Sequence, residues 1–336
     1  METKQKNFSM TVVLIVVALI LAAALIVMIL LSLPNVIAEE TVPTAHATEA
    51  STEPPTEPPT EPEPTLPPPE ANPFGKLDFQ YEGRYLKLRD GESVTGIDVS
   101  SWQKEIDWEQ VKASGVEFAM IRLGYRGSSE GMLYRDPIFR YNLVKAHNAG
   151  LKVGVYFFSQ ATDRAEAVAE AYYLLAILEE HRDKITMPVV YDWEETGTET
   201  SRTKGMNGKT VTDYAKYFCE VIREGGYTPG VYFNRHMGYY LYDLTQLPDV
   251  VYWFAGEGDY SDFYYEHALW QYTFTGKVNG INGNVDIDLF VGNGNAAAMT
   301  DDPEASEEIE ETAVPSPTPG VDVTPAPEAE EEITED

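Results

Sequence analysis

Eight short apolar runs recur along the chain, at residues 96–100, 118–123, 151–159, 188–194, 230–234, 250–255, 268–273 and 286–291. Runs of this length that stay apolar almost continuously mark strands covered on both faces, as parallel strands are. Segments with helical spacing separate the early ones. Ile106 and Val111 lie in the first such segment. Phe139, Leu143, Val144 and Ala146 form an inner stripe over 137–150, ahead of Gly150. Residues 165–180 follow a capping candidate at Thr162 or Asp163, and 210–224 form the last helical segment. This alternation predicts an α/β fold, a parallel, TIM-like (β/α) barrel over residues 94–294. An open doubly wound sheet is the alternative, but the chain lacks a Gly-x-Gly-x-x-Gly or phosphate loop. Leu77, Phe79, Tyr81 and Tyr85 around Glu82-Gly83 predict a hairpin within 76–93 that precedes the barrel.

The flanks cannot pack this way. The formal net charge is −31, yet residues 35–75 hold eight Glu and 301–336 hold 14 acids, neither with any Lys or Arg. So acidic a chain repels phosphate backbones, which excludes nucleic acid as a partner. Eleven of the 22 prolines lie in 35–75, where the unit Thr-Glu-Pro-Pro repeats. Proline locks φ and removes donors, so residues 34–75 are expected to be an extended polyproline linker reaching about 130 Å. Residues 295–336 are expected to be an acidic disordered tail. From 10 to 33 there are 24 residues without a charge, preceded by Lys4 and Lys6. At ~1.5 Å per residue this run covers about 36 Å, enough to cross a bilayer. It is expected to be a single-pass signal anchor with residues 1–9 cytoplasmic and the barrel extracellular at the cell membrane. The alternative is a signal peptide cleaved near Ala38, releasing a secreted domain. The one cysteine excludes a disulfide framework and multi-Cys metal clusters. Cys219 shares a helix face with Ala215 and Ile222, a core position.

Acids collect at strand ends, where barrel enzymes carry their reactive groups. Asp98 ends the first run, Asp192 and Glu194 end the fourth, and Asp286 and Asp288 lie in the last. Asp192 and Glu194 are two apart on a strand, so they point the same way with Cα atoms about 6.6 Å apart. Neighbouring carboxylates raise one another's pKa, leaving one as proton donor and one ionised. Glycoside hydrolysis needs that pair, an acid for the leaving oxygen and a negative partner for the oxocarbenium-like centre. A carboxylate rim also suits Mg²⁺ or Ca²⁺, which leaves two readings open. The five histidines (46, 147, 181, 236 and 267) have no metal-ligand spacing, and no Gly-x-Ser-x-Gly elbow is present.

The segment Gly96-Ile97-Asp98-Val99-Ser100-Ser101-Trp102-Gln103, then Ile106-Asp107-Trp108, resembles the opening of the glycoside hydrolase family 25 lysozymes, the Chalaropsis-type N-acetylmuramidases. The similarity continues through Phe118–Arg122, 150–158, 191–194, Gly230-Val231-Tyr232-Phe233-Asn234, Trp270-Gln271-Tyr272-Thr273 and 280–288. The resemblance implies an irregular, flattened barrel, no metal and no other cofactor. It implies cleavage of the β-1,4 bond between N-acetylmuramic acid and N-acetylglucosamine in peptidoglycan glycan strands. Carried over motif by motif, Glu194 is the general acid, Asp192 its ionised partner, and Asp98 and Asp286 line the same pocket. Retention is implied, with Asp192 either attacking directly or orienting the substrate's acetamido group. Arg122, Tyr156, Tyr232, Trp253 and Gln271 are the expected substrate contacts. Arg122 departs from the Lys that many members carry, and its donor geometry differs. A family 18 chitinase-like hydrolase is the first alternative, but its motif needs Asp where Val190 and Met187 stand. A non-catalytic glycan-binding scaffold is the second, and the intact acid set argues against it.

Overall fold

A computed structural model of the chain describes residues 67–291. The expected cytoplasmic segment, signal anchor, most of the linker and the acidic tail lie outside the described residues. Among the described residues no helix is long and apolar enough to cross a membrane. Strands β1 (Phe79–Glu82) and β2 (Tyr85–Leu88) form an antiparallel hairpin. Eight strands then close a ring in the order β3 (Ser93–Val99), β11 (Val285–Val291), β10 (Leu269–Gly276), β9 (Val251–Ala255), β8 (Pro229–Asn234), β7 (Val189–Trp193), β6 (Lys152–Ser159) and β4 (Phe118–Arg126). The pairing of β3 with β4 completes it, and β5 (Leu133–Arg135) adds an antiparallel edge to β4. Helices α1 (Trp108–Ala113), α2 (Phe139–Asn148), α3 (Arg164–Leu178) and α4 (Gly208–Glu224) follow β3, β5, β6 and β7. Asp163 caps α3 and Asn207 caps α4, each side chain accepting the N–H three residues on. Cys219 lies on the buried face of α4, and burial pushes its thiol up to about 12.

The barrel is not wholly parallel, which corrects the expectation from the apolar runs. Strand β11 is antiparallel to both β10 and β3. A parallel return needs a crossover of about a dozen residues or more, and only residues 277–284 join β10 to β11. The reversal has a chemical consequence. The N-terminal end of β11 meets the C-terminal end of β3, so Asp286 pairs in register with Asp98.

Strand alternation sorts the side chains into two cores. Phe118 and Met120 of β4, Val190 of β7, Val251 and Trp253 of β9, Leu269 of β10 and Phe290 of β11 fill the barrel interior. Gly96 and Gly154 make that filling possible, because a Cβ on either would collide with Phe118 or Met120 respectively. The other faces of the strands pack outward, with Tyr191 against Phe218 of α4. No described helix covers the wall of β10 and β11, and the β1–β2 hairpin lies there instead. Phe79 packs edge-on against Trp270 at 5.3 Å, and the Tyr272 hydroxyl accepts the Leu86 N–H at 3.3 Å.

Candidate active site

The inward face of β7 carries Val190 and Asp192, and Glu194 follows directly past its end, so the apolar floor gives way to two carboxyls at the strand's C-terminal end. Asp192 is buried and Glu194 half-buried. Asp98 enters from β3, and Asp286 and Asp288 from β11. Five acids therefore share one mouth.

Polar contacts order them. The Tyr232 hydroxyl donates to Gln271 Oε1 at 2.9 Å, and Gln271 Nε2 donates to Asp98 Oδ2 at 2.5 Å. Trp253 Nε1 donates to Asp288 Oδ1 at 2.8 Å. The rings of Tyr156 and Tyr232 stand edge-on to Trp253 at 5.8 and 5.0 Å. Tyr156 and Tyr232 are half-buried, whereas Trp253 is 2% exposed and backs both tyrosines. Gln271 is likewise buried. Arg122 is held from behind: its Nε donates to Asp136 Oδ2 at 3.0 Å and its Nη2 to Ser101 Oγ at 3.1 Å. The structure thus brings together all nine residues picked from the sequence, with Arg122, Tyr156, Glu194, Tyr232 and Asp286 half-buried and the rest buried.

Burial and crowding keep protons in this cluster. Burial raises Asp98 well above the usual carboxylate range, reinforced by the charges of Asp288 and Asp286 and opposed by the Gln271 hydrogen bond. Burial likewise raises Asp288, against the Trp253 hydrogen bond. Burial lifts Asp286 to about 6, with help from Glu257. Glu194 is raised by burial and then by Asp286. Asp192 is raised well above the usual range by burial and by the Glu194 charge, with Arg122 opposing. Burial thus raises both members of the pair, and the Glu194 charge adds to the rise at Asp192. One unpartnered oxygen on each of Asp192 and Asp288 is fully buried.

A family model, Glycosyl hydrolases family 25, matches residues 97–281, from the strand of Asp98 past Gln271. This chain belongs to that family. The family 25 chain is 30% identical over 226 residues to Lysozyme M1 of Streptomyces globisporus, covering 64% of this chain and 73% of that one. It is 27% identical over 199 residues to the autolytic lysozyme of Clostridium acetobutylicum, covering 59% of this chain but only 56% of the relative. The fold is similar to that of the spore cortex lytic enzyme SleM of Clostridium perfringens, with a TM-score of 0.53 at 20% identity, over 62% of this chain and 69% of that one. The chain is accordingly a glycoside hydrolase.

Several residues of the family 25 site were not assigned to it from the sequence. Asp288 was noted among the strand-end acids but given no place in the site, although it is two residues from Asp286 and so shares its face. Glu257 follows the end of β9, where the strand-end rule would look. Gln160, just past β6, is fully buried and secures the backbone of the acid. Its Nε2 donates to the Glu194 carbonyl at 2.9 Å and to the Ser159 carbonyl at 2.8 Å, while its Oε1 accepts the Thr203 hydroxyl at 2.8 Å. Loop 194–207 is thereby tied to β6. Thr203→Val and Gln160→Leu keep the shape and remove these bonds. We expect kcat to fall by about 10-fold and on the order of 10²-fold, respectively, with KM nearly unchanged. Steady-state kinetics beside a thermal melt checks this; KM rising while kcat holds would refute the positioning role.

Proposed function

We propose that the chain is a lysozyme, a 1,4-β-N-acetylmuramidase that hydrolyses the bond from N-acetylmuramic acid to N-acetylglucosamine in peptidoglycan. The observation that carries this reading is Asp192 and Glu194 at the C-terminal end of β7, opposite Asp98 and Asp286 in register across β3 and β11, within a family 25 barrel. Two relatives that bear the name lysozyme support it.

Glu194, its pKa raised, protonates the glycosidic oxygen as the bond to C1 breaks. The substrate's acetamido oxygen attacks C1 from the other face and forms an oxazolinium ion. Asp192 accepts the acetamido N–H and balances that positive charge. The donated N–H stabilises the Asp192 anion, which leaves the proton of the pair on Glu194 when substrate binds. Water then attacks C1 as the C1–oxygen bond of the oxazolinium ring breaks and restores the acetamido group; Glu194 takes the water's proton, and the configuration is retained. Two carboxyls on one strand suit this route, because both lie on one side of the scissile bond. Tyr156 and Tyr232 contact the sugars, while Arg122, Gln271 and Trp253 hold the pocket's shape and charge. The test is hydrolysis of purified peptidoglycan beside chitin. New reducing ends from peptidoglycan are expected; action on chitin alone would favour the family 18-like alternative.

We further propose that residues 10–33 anchor the enzyme in the membrane with residues 1–9 cytoplasmic, that 34–75 are its spacer and that 295–336 are an acidic tail. The support is the uncharged run behind Lys4 and Lys6 and the Thr-Glu-Pro-Pro repeat. An enzyme so tethered remodels the wall of its own bacterial cell. Membrane fractionation of the native protein tests this, and a soluble form beginning after Ala38 would contradict it.

A further inference from the structure

The protein has five tryptophans, and four of them are packed away. Trp108, Trp193, Trp253 and Trp270 are all buried, whereas Trp102 is 77% exposed. Trp102 lies four residues past Asp98, in the turn that leaves the C-terminal end of β3. An isolated exposed apolar side chain is ordinary on a protein surface. This one is set apart by the backbone that carries it. The Ser100 hydroxyl accepts the Trp102 N–H at 3.2 Å, and Gln103 Oε1 accepts the Ser100 N–H at 2.8 Å. The Ser101 N–H donates to Asp136 Oδ2 at 2.9 Å, and the Lys104 N–H to the Ser101 carbonyl at 3.1 Å. Arg122 binds both the Ser101 hydroxyl and Asp136, and its charge also reaches Asp192 and Tyr156. The indole is therefore displayed on a pinned turn, and that turn is joined by hydrogen bonds to the wall of the active site.

A flat ring carried on a pinned turn beside the C-terminal end of β3, where the acids gather, can cover the apolar face of a pyranose. We propose that Trp102 is a stacking platform for a sugar ring of the glycan strand outside the scissile pair, so that it governs the capture of long strands. This rests on the muramidase reading. Arg122 and Asp136 are its positioning residues, since they fix the turn and have no need to touch that sugar.

The test compares wild type, Trp102→Ala and Trp102→Tyr on purified uncrosslinked glycan strands and on a short muramic acid–glucosamine tetrasaccharide. Trp102→Ala should raise KM roughly tenfold on long strands, with much less change on the tetrasaccharide, and Trp102→Tyr should recover most of the loss. A second readout uses Glu194→Gln, which holds strands without cutting them. The other four indoles are buried, so acrylamide quenching of its fluorescence reports on Trp102, and added strands should suppress that quenching. Equal KM values for wild type and Trp102→Ala on long strands, or quenching unchanged at saturating strands, would overturn the platform while leaving the muramidase reading intact. Failure of the wild type to cut either substrate would overturn that reading and the platform with it.

Discussion

Glu194→Gln should lower turnover on peptidoglycan by about 10²–10⁴-fold while leaving the fold intact. The amide keeps the shape but has no proton to give the leaving oxygen. Glu194 is half-buried at a strand end, so no packing depends on its charge. Removing that charge also relieves Asp192, whose pKa it helps to raise. Melting temperature should therefore hold or rise as activity disappears, the trade-off expected where like charges are crowded for function. In the wild type, the raised pKa of Glu194 makes activity fall as pH rises through it, because the acid form is then lost. Turnover in Glu194→Gln within tenfold of wild type would remove Glu194 from the acid role. The measurement is reducing-end release across a pH series, beside a thermal melt.

Arg126→Leu should give the largest stability loss, and the loss should depend on pH. Arg126 Nε donates to Glu170 Oε1 at 2.6 Å, and Glu170 is fully buried. Glu170 Oε2 accepts the Ser159 hydroxyl at 2.6 Å. Even with these partners, burial pushes Glu170 from the usual 4.5 to about 7. A folded-state pKa above the unfolded one means that the native state binds the proton more tightly. The wild type therefore already loses some stability as pH rises from the ordinary carboxylate range towards 7. Without Arg126 the folded pKa climbs further. At pH 8 the variant holds an unpaired buried carboxylate or must protonate it, a destabilisation of about 3–5 kcal/mol. At pH 5 Glu170 is protonated and only the lost hydrogen bonds remain. Urea denaturation at the two pH values reads the difference, and equal losses at both would refute the charge argument. Arg126→Leu with Glu170→Leu should recover most of the loss at pH 8.

The order of strands and helices was legible because burial on both faces leaves near-continuous apolar runs, as at Val189–Trp193, and because a cap such as Asp163 announces a helix. The direction of β11 was not, since an apolar run reads the same in either sense; only the short 277–284 connection sets it. That direction is what places Asp286 opposite Asp98. Acids two apart on a strand were legible as one face. The contacts that organise them were not, because Gln160 reaches Glu194 and Thr203, and Gln271 reaches Asp98, across long stretches of sequence. The exposure of Trp102 was equally hidden, since tryptophan composition alone points to core.

The central claim is that this barrel cuts the glycan on the reducing side of N-acetylmuramic acid. Its most direct test is to digest purified peptidoglycan, reduce the new ends with borohydride and identify them by mass. Reduced N-acetylmuramic acid at the new ends is the result predicted. Reduced N-acetylglucosamine, or no new reducing ends, would contradict it.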